Sequence, residues 1–195
     1  MSSLSDAAFA EVRASVLKTA GIFVLPEEKP RVAERLLRLV DTLGMKSVDD
    51  LIDALKTRDK KLTEKVSDVV IAKDTSFFRD ESAYQYLRQT VGPKLAESRG
   101  KERTLKVWCG ACSTGQEAYS ISIMLDHAMP QFQNWNVEIF ATDISTASIE
   151  KARRGVFEDQ EIATGINKAL LSQPFAEDDQ HWTIAQRHKD RIQFE

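Results

Sequence analysis

The stretch Trp108-Cys-Gly-Ala-Cys-Ser-Thr-Gly115 packs two thiols, two hydroxyls and two glycines into eight positions, and three chemistries can be written on it. Gly110 and Gly115 stand at P-loop spacing between a run of strand type and a helical stretch. Glycines there let a backbone approach a ligand, and the helix N-terminus offers free N–H groups. A P-loop then needs a lysine to reach the terminal phosphates, and this chain has Gln116, which argues against a nucleoside triphosphatase. Trp108-Cys109-Gly110-Ala111-Cys112 is also close to a thioredoxin-type redox pair, whose strand-to-helix position stabilises a thiolate. Neither the 103 upstream residues nor the downstream pattern forms a thioredoxin unit, so Cys109 is expected to be a small buried hydrophobe and Cys112 to fill a tight turn. The third chemistry has a second anchor in Asp143, 28 positions after Gly115 and directly after an apolar run. In a parallel βαβ unit an acid there accepts hydrogen bonds from ribose hydroxyls. Adenosine is then the implied ligand; a dinucleotide and S-adenosylmethionine both satisfy the spacing, and Asp143-Ile-Ser145 also reads as a helix cap.

The elements that must hold these residues change character along the chain. From Ser5 to Ile71 the apolar period is helical. Phe9, Val12, Val16 and Leu17 mark one face of a first helix ended by Gly21. Val32, Leu36, Leu39, Val40 and Leu43 mark a second, ended by Gly44. Ser47 with Asp50 caps a third, and a fourth spans Lys60 to Ile71. Thr104–Cys109 and Asn136–Thr142 then read as strands, each followed by a helix, Gly115–Met129 and Ser145–Arg153. This alternation is the signature of a parallel sheet with crossover helices. His181–Ile184 and Arg191–Phe194 are further strand candidates.

Composition sets the frame. With 195 residues, 42% hydrophobic and 29% charged, the chain can bury a core and is expected to be globular. No apolar run approaches the ~20 residues of a membrane span, and Met1–Asp6 does not have the pattern of a secretory signal. A cytoplasmic location is expected, with the two cysteines as thiols. A net charge of −3 gives no field for nucleic acid. His127, His181 and His188 are scattered without ligand spacing, so no metal site is expected.

Three motifs in order, Thr75-Ser-Phe-Phe-Arg-Asp80, Val107-Trp-Cys-Gly-Ala-Cys-Ser-Thr-Gly-Gln-Glu-Ala-Tyr-Ser120 and Ala141-Thr-Asp-Ile-Ser145, resemble those of the CheR-type chemotaxis receptor methyltransferases. Lys151-Ala-Arg-Arg-Gly155 and the Trp182–Phe194 stretch extend the resemblance over essentially the whole chain. It implies an all-α N-terminal bundle followed by an α/β class I, Rossmann-like methyltransferase domain. The corresponding segments are a receptor-docking domain at 1–72, a linker with an active-site motif at 73–80 and a partial cofactor-binding domain at 81–195. The implied reaction moves a methyl group from S-adenosylmethionine to glutamate side chains on the cytoplasmic helices of chemoreceptors, leaving S-adenosylhomocysteine. The resemblance places Thr75, Arg79, Glu117 and Asp143 at the cofactor or active site, with Lys73 where a cofactor-contacting Asn occurs. Gly110 and Gly115 belong to the same site. Many members have Glu-Glu-Pro where this chain has Gln116-Glu117-Ala118, so the cofactor contact is carried to Glu117. Arg79 would hold the acceptor's or the cofactor's carboxylate through its planar fork; the bland alternative pairs it with Asp80 or Glu81. Phe77 and Phe78 are expected to divide between core and cofactor stacking.

Arg31, Arg35 and Arg38 form a stripe at i, i+4 and i+7, suited to steering acidic receptor helices; the alternative is a solvated face with Glu34 as partner. Residues 1–72 hold 12 basic and 12 acidic side chains, so the stripe is a local feature. The family's catalytic domain continues well beyond the equivalent of Glu195. An incomplete domain is therefore expected, in which the strand ending at Cys109 becomes a sheet edge, inviting self-association. The alternative function is a catalytically incompetent fragment that acts as a receptor- or partner-binding module.

Overall fold

The computed structural model describes residues 4–71, 74–163, 165–166, 173–178 and 181–195. The chain divides into two compact units, Met1–Ala72 and Lys73–Glu195.

The first unit is a bundle of four helices, α1 (Asp6–Ala20), α2 (Lys29–Leu43), α3 (Val48–Lys56) and α4 (Lys60–Val70). Short polar side chains start three of them. Ser5, Ser47 and Asp59 accept hydrogen bonds from the N–H groups of Ala8, Asp50 and Leu62, at 3.1, 3.1 and 2.7 Å, satisfying donors that the first helical turn leaves free. Val12, Val16, Val32, Leu36, Leu51 and Val66 are fully buried. Leu17 differs from expectation: it is 47% exposed, because it lies about 100° around the helix from Val16 and off the Phe9–Val12–Val16 face.

The second unit opens with α5 (Glu81–Tyr86), a π-helical turn (Leu87–Val91) and α6 (Gly92–Ser98). There follow β1 (Thr104–Gly110), α7 (Gln116–Ala128), β2 (Asn136–Thr142) and α8 (Thr146–Arg154). Then come β3 (Val156–Glu158), α9 (Asp159–Ala163), β4 (Phe175–Asp178), β5 (His181–Ile184), α10 (Gln186–Lys189) and β6 (Ile192–Phe194). One sheet is parallel with order β1-β2-β6, and a small antiparallel sheet has order β3-β5-β4. The expected α/β alternation is present, as an N-terminal helical bundle followed by an open Rossmann-like sheet.

In the parallel sheet Leu105 and Cys109 of β1 face inward beside Val137 and Ala141 of β2. The opposite side carries the Lys106–Glu138 ion pair at 3.1 Å and Trp108, 72% exposed, with its indole N–H donated to Thr142 Oγ1 at 3.2 Å. Among the described residues β1 has a strand partner on one side only.

The core joins the two sheets. Phe77 packs edge-on against Phe157 and Phe175, at 4.9 and 5.5 Å between ring centres. Tyr119 fills the space beside Phe157 and Phe194 and donates its hydroxyl proton to the Ala152 carbonyl at 2.7 Å, fastening α7 to α8. His188, fully buried, shares a 2.9 Å hydrogen bond with Ser122 and so ties α10 to α7. Burial pushes its pKa down to about 4 despite the nearby Asp126 carboxylate. The imidazole is therefore neutral at physiological pH and serves packing.

Candidate cofactor site

Where β1 runs out, the chain turns sharply before α7. Ala111, Ser113 and Gly115 all have positive φ, at 57°, 49° and 97°. Gly115 is the one position of the three free of a side-chain penalty, and a Cβ there would stand 3.0 Å from that of Ala152. For Ala111 and Ser113 the left-handed conformation costs roughly 1–2 kcal/mol each, and two bonds from the end of β2 hold the turn in place. Cys112 N–H donates to the Thr142 carbonyl at 2.9 Å, and Ser113 N–H donates to Asp143 Oδ2 at 2.7 Å. The other carboxylate oxygen of Asp143 accepts Ser145 N–H at 2.9 Å. The cap of α8 is Ser145, whose hydroxyl accepts from Ser148 N–H. Asp143 is thus fixed by a backbone donor on each oxygen, and each oxygen retains further acceptor capacity.

Glu117 lies in the first turn of α7 and is exposed, whereas its neighbour Gln116 is buried. The Gln116 amide is consumed internally: Oε1 accepts from Thr114 Oγ1 at 2.8 Å, and Nε2 donates to Glu161 Oε1 at 3.3 Å, an oxygen that also receives Lys151 Nζ at 2.6 Å. Of the two adjacent side chains, only Glu117 is exposed.

The thiols are the opposite of a reactive pair. Cys109 and Cys112 are buried and free. Burial, reinforced by the Glu117 carboxylate, pushes Cys109 up to about 12. Burial and the Asp143 charge push Cys112 up to about 11. Thiolate is the nucleophile, so at pH 8 neither thiol is expected to react with a disulfide reagent in the folded chain, and both are expected to react in denaturant. Labelling of either native thiol at the rate of an exposed cysteine would contradict this.

Thr75 and Arg79 lie on the segment leading to α5, in the same unit as Glu117 and Asp143. Arg79 is exposed and folds back on Asp74, donating to its carbonyl at 2.6 Å and to its carboxylate at 3.0 Å. Its partner is therefore neither Asp80 nor Glu81. An exposed pair of this kind is worth about 0–1 kcal/mol, so the guanidinium is readily surrendered to a ligand carboxylate. Phe77 is core. Phe78 is half-buried against Tyr84 at 5.1 Å between ring centres. Lys73 lies outside the described residues. Gly110 is exposed and needs no special conformation; an added Cβ would meet only the Trp108 ring, at 3.5 Å.

In the helical unit the three arginines of the stripe differ in their engagement. Arg31 pairs with Glu28 and Arg38 with Glu34. Arg35 turns onto the C-terminus of α4, its Nη1 donating to the carbonyls of Val69 and Ile71 at 3.1 and 3.0 Å. These are carbonyls without helical partners, at the negative end of the helix dipole. Arg35→Ala is expected to cost about 1–2 kcal/mol of stability and Arg38→Ala under about 0.5 kcal/mol, measured by urea denaturation. Equal costs would show that Arg35 is not a cap.

The donor set suits an adenosine-bearing cofactor with an amino-acid tail. Asp143 is a fixed carboxylate of the kind that ribose hydroxyls require, Glu117 an exposed carboxylate, and Arg79 an exposed guanidinium whose fork matches carboxylate geometry. Sequence reasoning missed how the site is held: the Ser113 amide that aims Asp143 had no signature beyond the turn itself.

Comparison with known proteins agrees. Residues 73–195 match the family described as CheR methyltransferase, SAM binding domain. The chain is 30% identical over 200 residues to chemotaxis protein methyltransferase 1 of Pseudomonas aeruginosa, covering 98% of this chain and 71% of that protein. It is 28% identical over 195 residues to chemotaxis protein methyltransferase Cher2 of Pseudomonas putida, covering 95% and 69%. With the chemotaxis protein methyltransferase of Salmonella typhimurium it shares 31% identity over 164 residues, covering 83% and 54%. A left-handed turn after β1 that cradles the acid following β2, and a family match spanning residues 73–195, lead to one conclusion: this chain belongs to the CheR methyltransferase family.

Proposed function

We propose that this chain binds S-adenosylmethionine and transfers its methyl group to glutamate side chains on the cytoplasmic helices of chemoreceptors, the adaptation chemistry of bacterial chemotaxis. The observation that carries the reading is Asp143, held at the carboxyl end of β2 by Ser113 N–H from the turn after β1. That is where parallel α/β sheets bind adenosine ligands. The cofactor, when bound, supplies a sulfonium methyl group open to nucleophilic displacement.

The residues of the chain bind and orient. Asp143 accepts from the ribose hydroxyls, Glu117 favours positive charge near the start of α7, and Thr75, Gly110 and Gly115 bring backbone and hydroxyl close. Arg79, released from Asp74, fixes a carboxylate in two-point geometry. The acceptor glutamate, with an ordinary pKa of about 4.3, is already ionised at neutral pH, so attack on the methyl group needs no general base. Alignment and exclusion of water remain for the protein to provide. We place the reaction in the cytoplasm, supported by the acceptor's location and by two thiols that suit a reducing compartment. No helix among the described residues is long and apolar enough to cross a membrane. Receptor docking is proposed for the α2 face, through Arg31 and Arg38 with Arg35 as its structural anchor.

A second reading, a binding module without turnover, is favoured by β1, which among the described residues has a strand partner on one side only, with Trp108 exposed. Such an edge offers unpaired backbone groups to a second copy. Incubation with S-adenosylmethionine labelled in the methyl group and a receptor cytoplasmic fragment separates the two. Enzyme activity is expected to appear as label in base-labile ester on glutamate. Receptor binding without label would support the module instead.

A further inference from the structure

We infer that Ser120 is a positioning residue that holds the Thr75–Arg79 segment against α7 and so sets the spacing between Arg79 and Glu117; the inference rests on the proposed cofactor site. Ser120 is fully buried. Its hydroxyl carries one proton, donated to the Gln116 carbonyl one turn back at 2.7 Å. That bond fixes the rotor and leaves lone pairs facing away from the helix, and one of them accepts the Phe78 N–H at 3.0 Å.

The bond matters because of what it holds. Phe78 has φ 48°, a left-handed conformation that costs a bulky residue roughly 1–3 kcal/mol and persists only where its surroundings enforce it. On one side Phe77 is locked into the Phe157 and Phe175 rings. On the other, the segment runs to the exposed Arg79, whose side chain folds back on Asp74. Ser120 is the polar fastening between these two, and it lies three residues after Glu117 on the same helix. Without it the Phe78 amide loses its partner, the reversal at Phe78 relaxes, and Arg79 is no longer held at a fixed distance from Glu117.

Ser122 is the internal control. It is equally buried, two residues further along α7, and bonded to His188, away from the segment. Ser120→Ala removes the bonds to the Gln116 carbonyl and the Phe78 amide and Ser122→Ala the bond to His188, so a merely structural role predicts a larger loss of stability for Ser120→Ala and no difference in binding. Calorimetric titration of the full chain with S-adenosylhomocysteine is expected to show at least tenfold weaker binding for Ser120→Ala and under twofold change for Ser122→Ala. Hydrogen exchange is expected to speed at the Phe78 amide in Ser120→Ala alone, and Ser120→Thr, which keeps the hydroxyl, is expected to restore protection. Equal affinities for the two alanine variants, or unchanged Phe78 exchange, would overturn the inference. Absence of binding by the unsubstituted chain would instead overturn the cofactor site, leaving Phe78 exchange to decide whether Ser120 holds the segment.

Discussion

Asp143→Asn is expected to weaken S-adenosylhomocysteine binding at least 30-fold while leaving the chain folded. The substitution preserves shape but replaces one acceptor oxygen by an NH2 group, which then faces the N–H of either Ser113 or Ser145 where a carboxylate oxygen now accepts it. Hydrogen bonds to charged groups are worth about 1.5–3 kcal/mol each, and every 1.4 kcal/mol is tenfold in affinity. Loss of one such bond to the ligand, with loosening of the turn that aims it, accounts for the expected range. Calorimetric titration measures the affinity and thermal unfolding the stability. Unchanged affinity would remove Asp143 from the site, and a drop in affinity that merely followed unfolding would make it a structural residue.

The second large effect is expected at Gly165, which no functional motif marks. A Cβ there would stand 1.7 Å from the Phe77 carbonyl oxygen and 2.6 Å from its carbon. Both atoms are backbone, so no side chain can swing away; the segment must move by an ångström or more. Phe77 cannot follow freely, because its ring is held by Phe157 and Phe175. Gly165→Ala is therefore expected to cost at least the ~3 kcal/mol upper end of ordinary overpacking. At about 2–4 °C per kcal/mol for a chain of this size, the melting temperature should fall by roughly 6–12 °C. Cofactor affinity should fall with it, because Phe78, Arg79 and Thr75 ride on the displaced backbone. A variant melting within 2 °C of the parent would show that the close approach to Phe77 is not a constraint.

Much of this was legible in the sequence because it rests on local rules. Helix periodicity and the Ser47 cap located the bundle, and two apolar runs followed by helices located β1 and β2. Asp143 was marked by its place after a strand, and Glu117 by the family resemblance; burial of Gln116 in the Glu161 and Lys151 network leaves Glu117 the exposed member of the pair. Long-range pairing was not legible. The antiparallel partnership of β3, β4 and β5 joins three- and four-residue strands too short to show a period. Arg35 looked like one third of a surface stripe because i, i+4 spacing does not reveal a helix terminus from elsewhere in the chain beside it. Gly165 and Ser120 act on Phe77 and Phe78, 88 and 42 positions away in the chain, so only packing exposes them.

We propose that Asp143, Glu117 and Arg79 form one adenosine-cofactor site. Its most direct test is calorimetric titration of the chain with S-adenosylhomocysteine. Saturable binding at one site per chain is the expected result. Titration to millimolar ligand with no saturable heat, by a chain that thermal unfolding shows to be folded, would contradict it.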